Sequence, residues 1–163
     1  MTVKRAVVAT MVAALTLLGG ANVASAAPRT ASVGAPALRL AAGNHPELNG
    51  ARLQQVGRPE VYLVLDGTRH WIPNPDTYNQ LFRDWNGIQQ VIDITNIDEG
   101  AAITDRAVLM RAPNTAPVYL VSNGVKRWVT SPQAMDKYYL DWNKIQAVPQ
   151  VVVNSVPTGG NLG

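Results

Sequence analysis

Val61-Tyr62-Leu63-Val64-Leu65-Asp66-Gly67-Thr68-Arg69-His70-Trp71-Ile72 decides the fold, because the chain repeats it as Val118-Tyr119-Leu120-Val121-Ser122-Asn123-Gly124-Val125-Lys126-Arg127-Trp128-Val129, fifty-seven positions later. Asp-Gly and Asn-Gly between β-forming runs signal a hairpin, since a type I′ turn holds two consecutive residues at positive φ. A two-residue loop fixes the register, so Leu65 is expected opposite Thr68, Val64 opposite Arg69, Leu63 opposite His70, Tyr62 opposite Trp71 and Val61 opposite Ile72. Opposed residues share a face. One face then carries Tyr62, Val64, Arg69 and Trp71, and its counterpart carries Tyr119, Val121, Lys126 and Trp128. The other face is aliphatic and is expected to be core.

Outward from the hairpins the duplication continues without a gap through Pro75 and Pro132, Asp84-Trp85-Asn86 and Asp141-Trp142-Asn143, and Ile88-Gln89 and Ile145-Gln146. A repeat of this kind sets architecture before anything else. Asn74-Pro75 and Ser131-Pro132 are helix starts, a capping side chain followed by proline at the first helical position, and predict helices over 75–82 and 132–139. Strands are expected before each hairpin, over 51–56 and 107–111, and after each helix, over 91–94 and 148–153. Pro149 marks the last of these as an edge or a bulge. The fold class is therefore α+β: two tandem strand–hairpin–helix–strand repeats, 50–104 and 105–163, sharing one core. A mainly-β propeller-blade-like or prism-like assembly is the alternative.

Lys4-Arg5, the apolar run from Ala6 to Leu18 and Ala24-Ser25-Ala26 follow one another in the order of a secretory signal. The apolar run is too short for a membrane span, which needs about 20 residues. A signal peptide is read over residues 1–26 and a secreted, extracellular location is expected, with no membrane span after cleavage. Residues 27–49, rich in Ala, Gly, Pro and Ser, read as a flexible leader, and Thr158 to Gly163 as a loose tail. Removal of Lys4 and Arg5 leaves twelve basic residues against eleven acidic ones, without a basic run. Nucleic acid is thereby excluded as an expected partner. The chain has no cysteine, so packing alone must hold it, and halves of about 55 residues are too small to do this separately.

The run Val-Tyr-Leu-Val-x-x-Gly-x-x-(Arg/His)-Trp-(Ile/Val)-x-x-Pro, followed by an aromatic helix and Trp-x-x-Ile, resembles repeats of exported bacterial proteins of actinobacterial type. These repeats are often arrayed in tandem and are sometimes attached to cell-wall or extracellular hydrolases. The resemblance covers residues 50 to 162. It implies an accessory or surface-interaction module and carries over no catalytic residue.

The candidate ligand-binding residues are Tyr62, Arg69, Trp71, Tyr119, Lys126 and Trp128. Their rings offer apolar platforms for sugars, and the cations address hydroxyls or a carboxylate. The same residues also suit a structural role, with the aromatics packed under the helix and each cation over its neighbouring ring. Because the chain has one Phe, Trp and Tyr are expected to supply much of the interior, Trp85 and Trp142 above all. His70 becomes Arg127 in the second copy and so stands outside the common design. Asp84 and Asp141 occupy matching places rather than the two different environments that an acid and a base need, and read as turn caps. No phosphate loop, Gly-x-Ser-x-Gly elbow or His-Glu-x-x-His motif occurs. The expectation is a non-enzymatic binding module without metal or cofactor, its partner a polysaccharide or cell-wall glycan. The alternative is an extracellular protein-interaction module, such as a protease inhibitor acting through Arg111 to Pro117.

Overall fold

A computed structural model describes residues 36–163 of the 163-residue chain. The expected signal peptide and the start of the leader lie outside the described residues. Among the described residues the protein is α+β and mostly β, with two four-stranded mixed sheets, a few short helices and no closed barrel.

The turns behave as their chemistry requires. Asp66 and Gly67 lie at φ 52° and 77°, Asn123 and Gly124 at 54° and 71°. The hairpin of β2 (Val61–Leu65) and β3 (Thr68–Trp71) has the expected register, Tyr62 opposite Trp71 and Leu65 opposite Thr68. That of β6 (Val118–Ser122) and β7 (Val125–Val129) has the matching one, Tyr119 opposite Trp128. Each hairpin pairs on one side with a preceding antiparallel strand, β1 (Arg52–Gln55) or β5 (Val108–Arg111). Those strands in turn pair in parallel with β4 (Gln89–Val91) and β8 (Ile145–Ala147). The orders are β3-β2-β1-β4 and β7-β6-β5-β8.

Helices α1 (Pro75–Leu81) and α2 (Pro132–Lys137) begin at the expected caps, Asn74 accepting from the Thr77 amide and Ser131 from that of Ala134. The largest core cluster takes Leu63, Leu65, Tyr78 and Phe82 from the first sheet and helix, and Leu109, Leu120, Met135 and Leu140 from the second. The chain ends after the helices also cross-pair. Phe82 bridges Leu140, and the Asp141 amide donates to the Leu81 carbonyl at 3.0 Å. A smaller cluster covers the outer face of each sheet, Leu53, Val64 and Val91 on one, Met110, Ala112 and Val153 on the other.

Two strand expectations are displaced. β4 stops at Val91, because Asp93 accepts from the Thr95 amide and starts a 3-10 turn over Ile94–Asn96. The valine run expected as a strand over 148–153 is mostly helical, α3 spanning Gln150–Ser155. Pro149 stands where the first copy has Ile92, whose amide pairs with the Leu38 carbonyl at 2.9 Å. Without that N–H the ladder cannot continue, and the helix instead buries Val153 against Met110 and Ala112.

Longer helix for short turn adds two residues to the second copy, so the offset grows to fifty-nine. Both edge strands are then covered alike. Ile103 donates to the Trp71 carbonyl and Leu162 to that of Trp128, each at 2.8 Å. The expected loose tail is thereby held, with Leu162 fully buried. The described part of the expected leader, residues 36–49, is also held: Leu38 pairs with Val91 and Gly43 with Ile97 as extended chain. Its length of small residues suits it to lie flat along a sheet edge as well as to remain free.

His45 fastens this segment. Its ring bonds the Glu47 carboxylate at 2.6 Å and the Ala41 carbonyl at 2.8 Å. Only the imidazolium donates to both, and the hydrogen bond to Glu47, followed by that to Ala41, raises the His45 pKa above its ordinary value. The stabilisation from His45 is complete below the free-histidine pKa and is lost as pH rises through the raised one. Amide exchange at Gly43 and His45 should therefore speed up relative to global exchange across that window, and a His45→Gln variant should lose this pH dependence.

The two turn glycines should also differ. A Cβ at Gly124 meets nothing within 4 Å, whereas at Gly67 it falls 2.1 Å from Asn44 Oδ1. Moving Asn44 breaks its 3.0 Å bond to the Asp66 carbonyl. Gly124→Ala is expected to cost about 1 kcal/mol from positive φ alone, and Gly67→Ala about 2 kcal/mol once the lost hydrogen bond is added, as read from denaturant midpoints.

Candidate functional site

The connection from β3 into α1 runs Trp71-Ile72-Pro73-Asn74-Pro75, and two prolines with a helix cap hold it in one path. Together with Pro59-Glu60-Val61 at the start of β2, with Tyr78 on α1 and with Trp85, it lines an open groove of about 280 Å³. A second groove of about 310 Å³ is lined by Ala116-Pro117-Val118, Trp128-Val129-Thr130-Ser131-Pro132, Met135 and Trp142. Each lining residue of the first has its counterpart in the second at the fifty-seven-residue offset.

Four tryptophans supply the exposed apolar surface of these grooves. Trp71 and Trp128 are 40% and 39% exposed, Trp85 and Trp142 46% and 45%. The expectation that Trp85 and Trp142 are core is thus corrected, as is the weight given to a core role for Trp71 and Trp128. The single Phe misleads, because Leu, Ile, Val, Met and Tyr fill the interior without any Trp. α1 ends at Leu81, and the indole of Trp85 lies outside on the ring of buried Tyr78, stacked at 3.9 Å and 19°. One indole face packs and the other is left outward. Trp142 opens a 3-10 turn over Trp142–Lys144 that Asp141 caps.

The other candidates lie elsewhere. Tyr62 and Tyr119 stand opposite the tryptophans in the ladder but are half-buried against the outer-face clusters and line neither groove. Arg69 and Lys126 are turned inward and are only 9% and 8% exposed. Arg69 donates to the carbonyls of Ile94, at 3.0 Å, and Ile97, and pairs with Glu99 at 2.9 Å. Lys126 donates to the Val153 carbonyl on α3. Both cations thus satisfy carbonyls of the helical turn beneath their sheet, where a positive charge is favoured. Each also lies over its tyrosine, at 5.8 Å for Arg69 and 5.7 Å for Lys126.

His70 bonds Thr68 and the Ala101 carbonyl, whereas Arg127 pairs with Asp66. Asp84 accepts from the Asn86 amide at 2.7 Å and from the Tyr139 hydroxyl at 3.0 Å. The amide bond leads in holding its carboxyl below the usual range. Asp141 makes the matching turn bond to the Asn143 amide at 2.9 Å.

One residue that positions the first groove has no counterpart to reveal it. Arg52 on β1 donates to the carbonyls of Asp84, at 3.0 Å, and Asn86, at 2.6 Å, while lying 3.7 Å from the Tyr139 ring. Its hydrogen bonds grip the loop that carries Trp85. In the second copy the same position is Leu109, so comparing the copies conceals it.

No family model matches the chain, and no curated protein or solved structure matches it either. The grooves are therefore read from their own geometry. Among the described residues, no helix is long and apolar enough to cross a membrane.

Because Arg69 and Lys126 are held on buried carbonyls, removing them should unfold rather than unbind. Arg69→Leu leaves the Ile97 carbonyl unpaired, while that of Ile94 keeps the Ile97 amide, and is expected to cost about 1–3 kcal/mol. Lys126→Met takes the ammonium from the Val153 carbonyl and should cost about 1–3 kcal/mol. Melting temperature is the readout, with ligand retention by the remaining folded protein unchanged.

Proposed function

We propose that this protein is an exported, non-enzymatic binding module for a carbohydrate or cell-wall polymer, built as two tandem units, 50–104 and 105–163, that share one core. The observation that carries the reading is the pair of tryptophan-lined grooves, matching position for position and open to solvent. An exposed indole face is costly to leave in water without a use, and large apolar patches on soluble proteins tend to be interaction sites. A pyranose ring presents a flat C–H face to such a surface.

Duplication suits this chemistry. Two weak equivalent sites on a rigid body gain strength on a ligand that itself repeats, because binding at the first raises the effective concentration at the second. Asp84 and Asp141 support no hydrolytic role, since each is committed to its own turn. The secretory signal read in the sequence supports a polymer outside the cell.

Pull-down on insoluble cell-wall polysaccharide tests the reading. Wild-type protein should be retained, each of Trp71→Ala and Trp128→Ala should weaken retention roughly a hundredfold, and the double variant, folded by circular dichroism, should pass through. Failure of the wild type to bind, or full retention of the double variant, would overturn it.

A further inference from the structure

The grooves carry very few polar groups that are free. In the first, Asn74 is committed to the Thr77 amide and to Asp105, and the Tyr78 hydroxyl to the Asp84 carbonyl. In the second, Ser131 serves the Ala134 amide and Thr130 the Leu162 carbonyl. Of the four indoles only Trp85 donates, at 2.9 Å to Asn79; those of Trp71, Trp128 and Trp142 have no acceptor among the described residues. Glu60 supplies one carboxylate to the first groove, where the second has Pro117. No Lys or Arg lines either groove.

This inventory discriminates between polymers. Hydroxyls of an unsubstituted hexose need several paired side-chain donors and acceptors, and stripping them of water without partners is unfavourable. Uronates and phosphates need a cation, and those near the grooves in sequence are turned elsewhere: Arg69 and Lys126 onto helical carbonyls, Arg127 onto Asp66, and Arg58 into a neighbouring pocket with Gln55 and Tyr62. An acetamido group matches what remains. Its methyl suits an apolar floor, its carbonyl is a strong acceptor for an indole N–H, and its N–H has a carboxylate to meet in the first groove.

Resting on the glycan reading, we infer that each groove recognises the acetamido group of an N-acetylated amino sugar, with Trp71 and Trp128 as the indole donors and Glu60 adding a second contact in the first groove. The first groove is accordingly the tighter of the two.

Short oligomers test this apart from avidity. Indole N–H resonances would be followed by NMR during titration with the tetramer of N-acetylglucosamine, the tetramer of glucosamine, cellotetraose and an octaproline peptide. The acetylated tetramer should bind at least tenfold more tightly than the other sugars, with the Trp71 and Trp128 signals moving. Trp71→Phe/Trp128→Phe keeps the rings but removes the donors and should abolish that preference. Glu60→Gln should weaken only the first groove. Equal binding of all three sugars overturns the acetamido inference and leaves the glycan reading standing. If no sugar binds, or octaproline alone does, the glycan reading falls and the inference with it.

Discussion

Two consecutive residues held at positive φ are the constraint on which the rest depends. Once Asp66-Gly67 and Asn123-Gly124 turn in this way, a one-residue slip in either hairpin would move every aliphatic residue from the core side to the outer side. The register therefore fixes where Leu63 and Leu120 go, and with them the face on which the helices must pack. It also fixes the ends of β3 and β7, so that Trp71 and Trp128 arrive at the mouths of the proline-stiffened connections. The grooves follow from the turns through a chain of rigid steps, and none of those steps needs a disulfide.

What was legible in the sequence was the part governed by local rules. Turn type, the pairing within each hairpin and helix caps each depend on a few adjacent residues, and all three could be written down from the letters, whereas the parallel pairing of β1 with β4 and of β5 with β8 could not. The valine run expected as a strand over 148–153 is helical from Gln150 because β propensity is weak beside a missing amide at Pro149 and a buried slot for Val153. Trp85 and Trp142 were misread because composition says how many aromatics there are and nothing of which surfaces they meet. Trp71 and Trp128 could be singled out as candidates, whereas their groove partners emerge only when the loops after the helices fold back. Arg52 was out of reach because its grip on the loop rests on contacts thirty-two and thirty-four positions away, and its counterpart is a leucine.

Arg69 and Lys126 show how equivalent positions serve one task with different chemistry. A guanidinium spans two carbonyls of a short 3-10 turn, while a single ammonium meets one carbonyl of a longer helix. The exchange from Arg to Lys accompanies the change from turn to helix beneath the sheet. Because these charges are used internally, the grooves between strand and helix are left nearly neutral. The selectivity proposed for them rests on that internal use as much as on the tryptophans themselves.

Pro149 has a wider consequence. The first sheet is finished by its own N-terminal segment through Leu38, whereas at the matching place in the second sheet proline withholds the amide that a further strand would need. An unprotected strand edge recruits other chains. Here one edge is occupied and the other blunted, so the protein is self-terminating at both ends of its sheets. Crowded on a surface at high local concentration, such a molecule would resist growing into fibrils, a property that suits the exported role proposed for it.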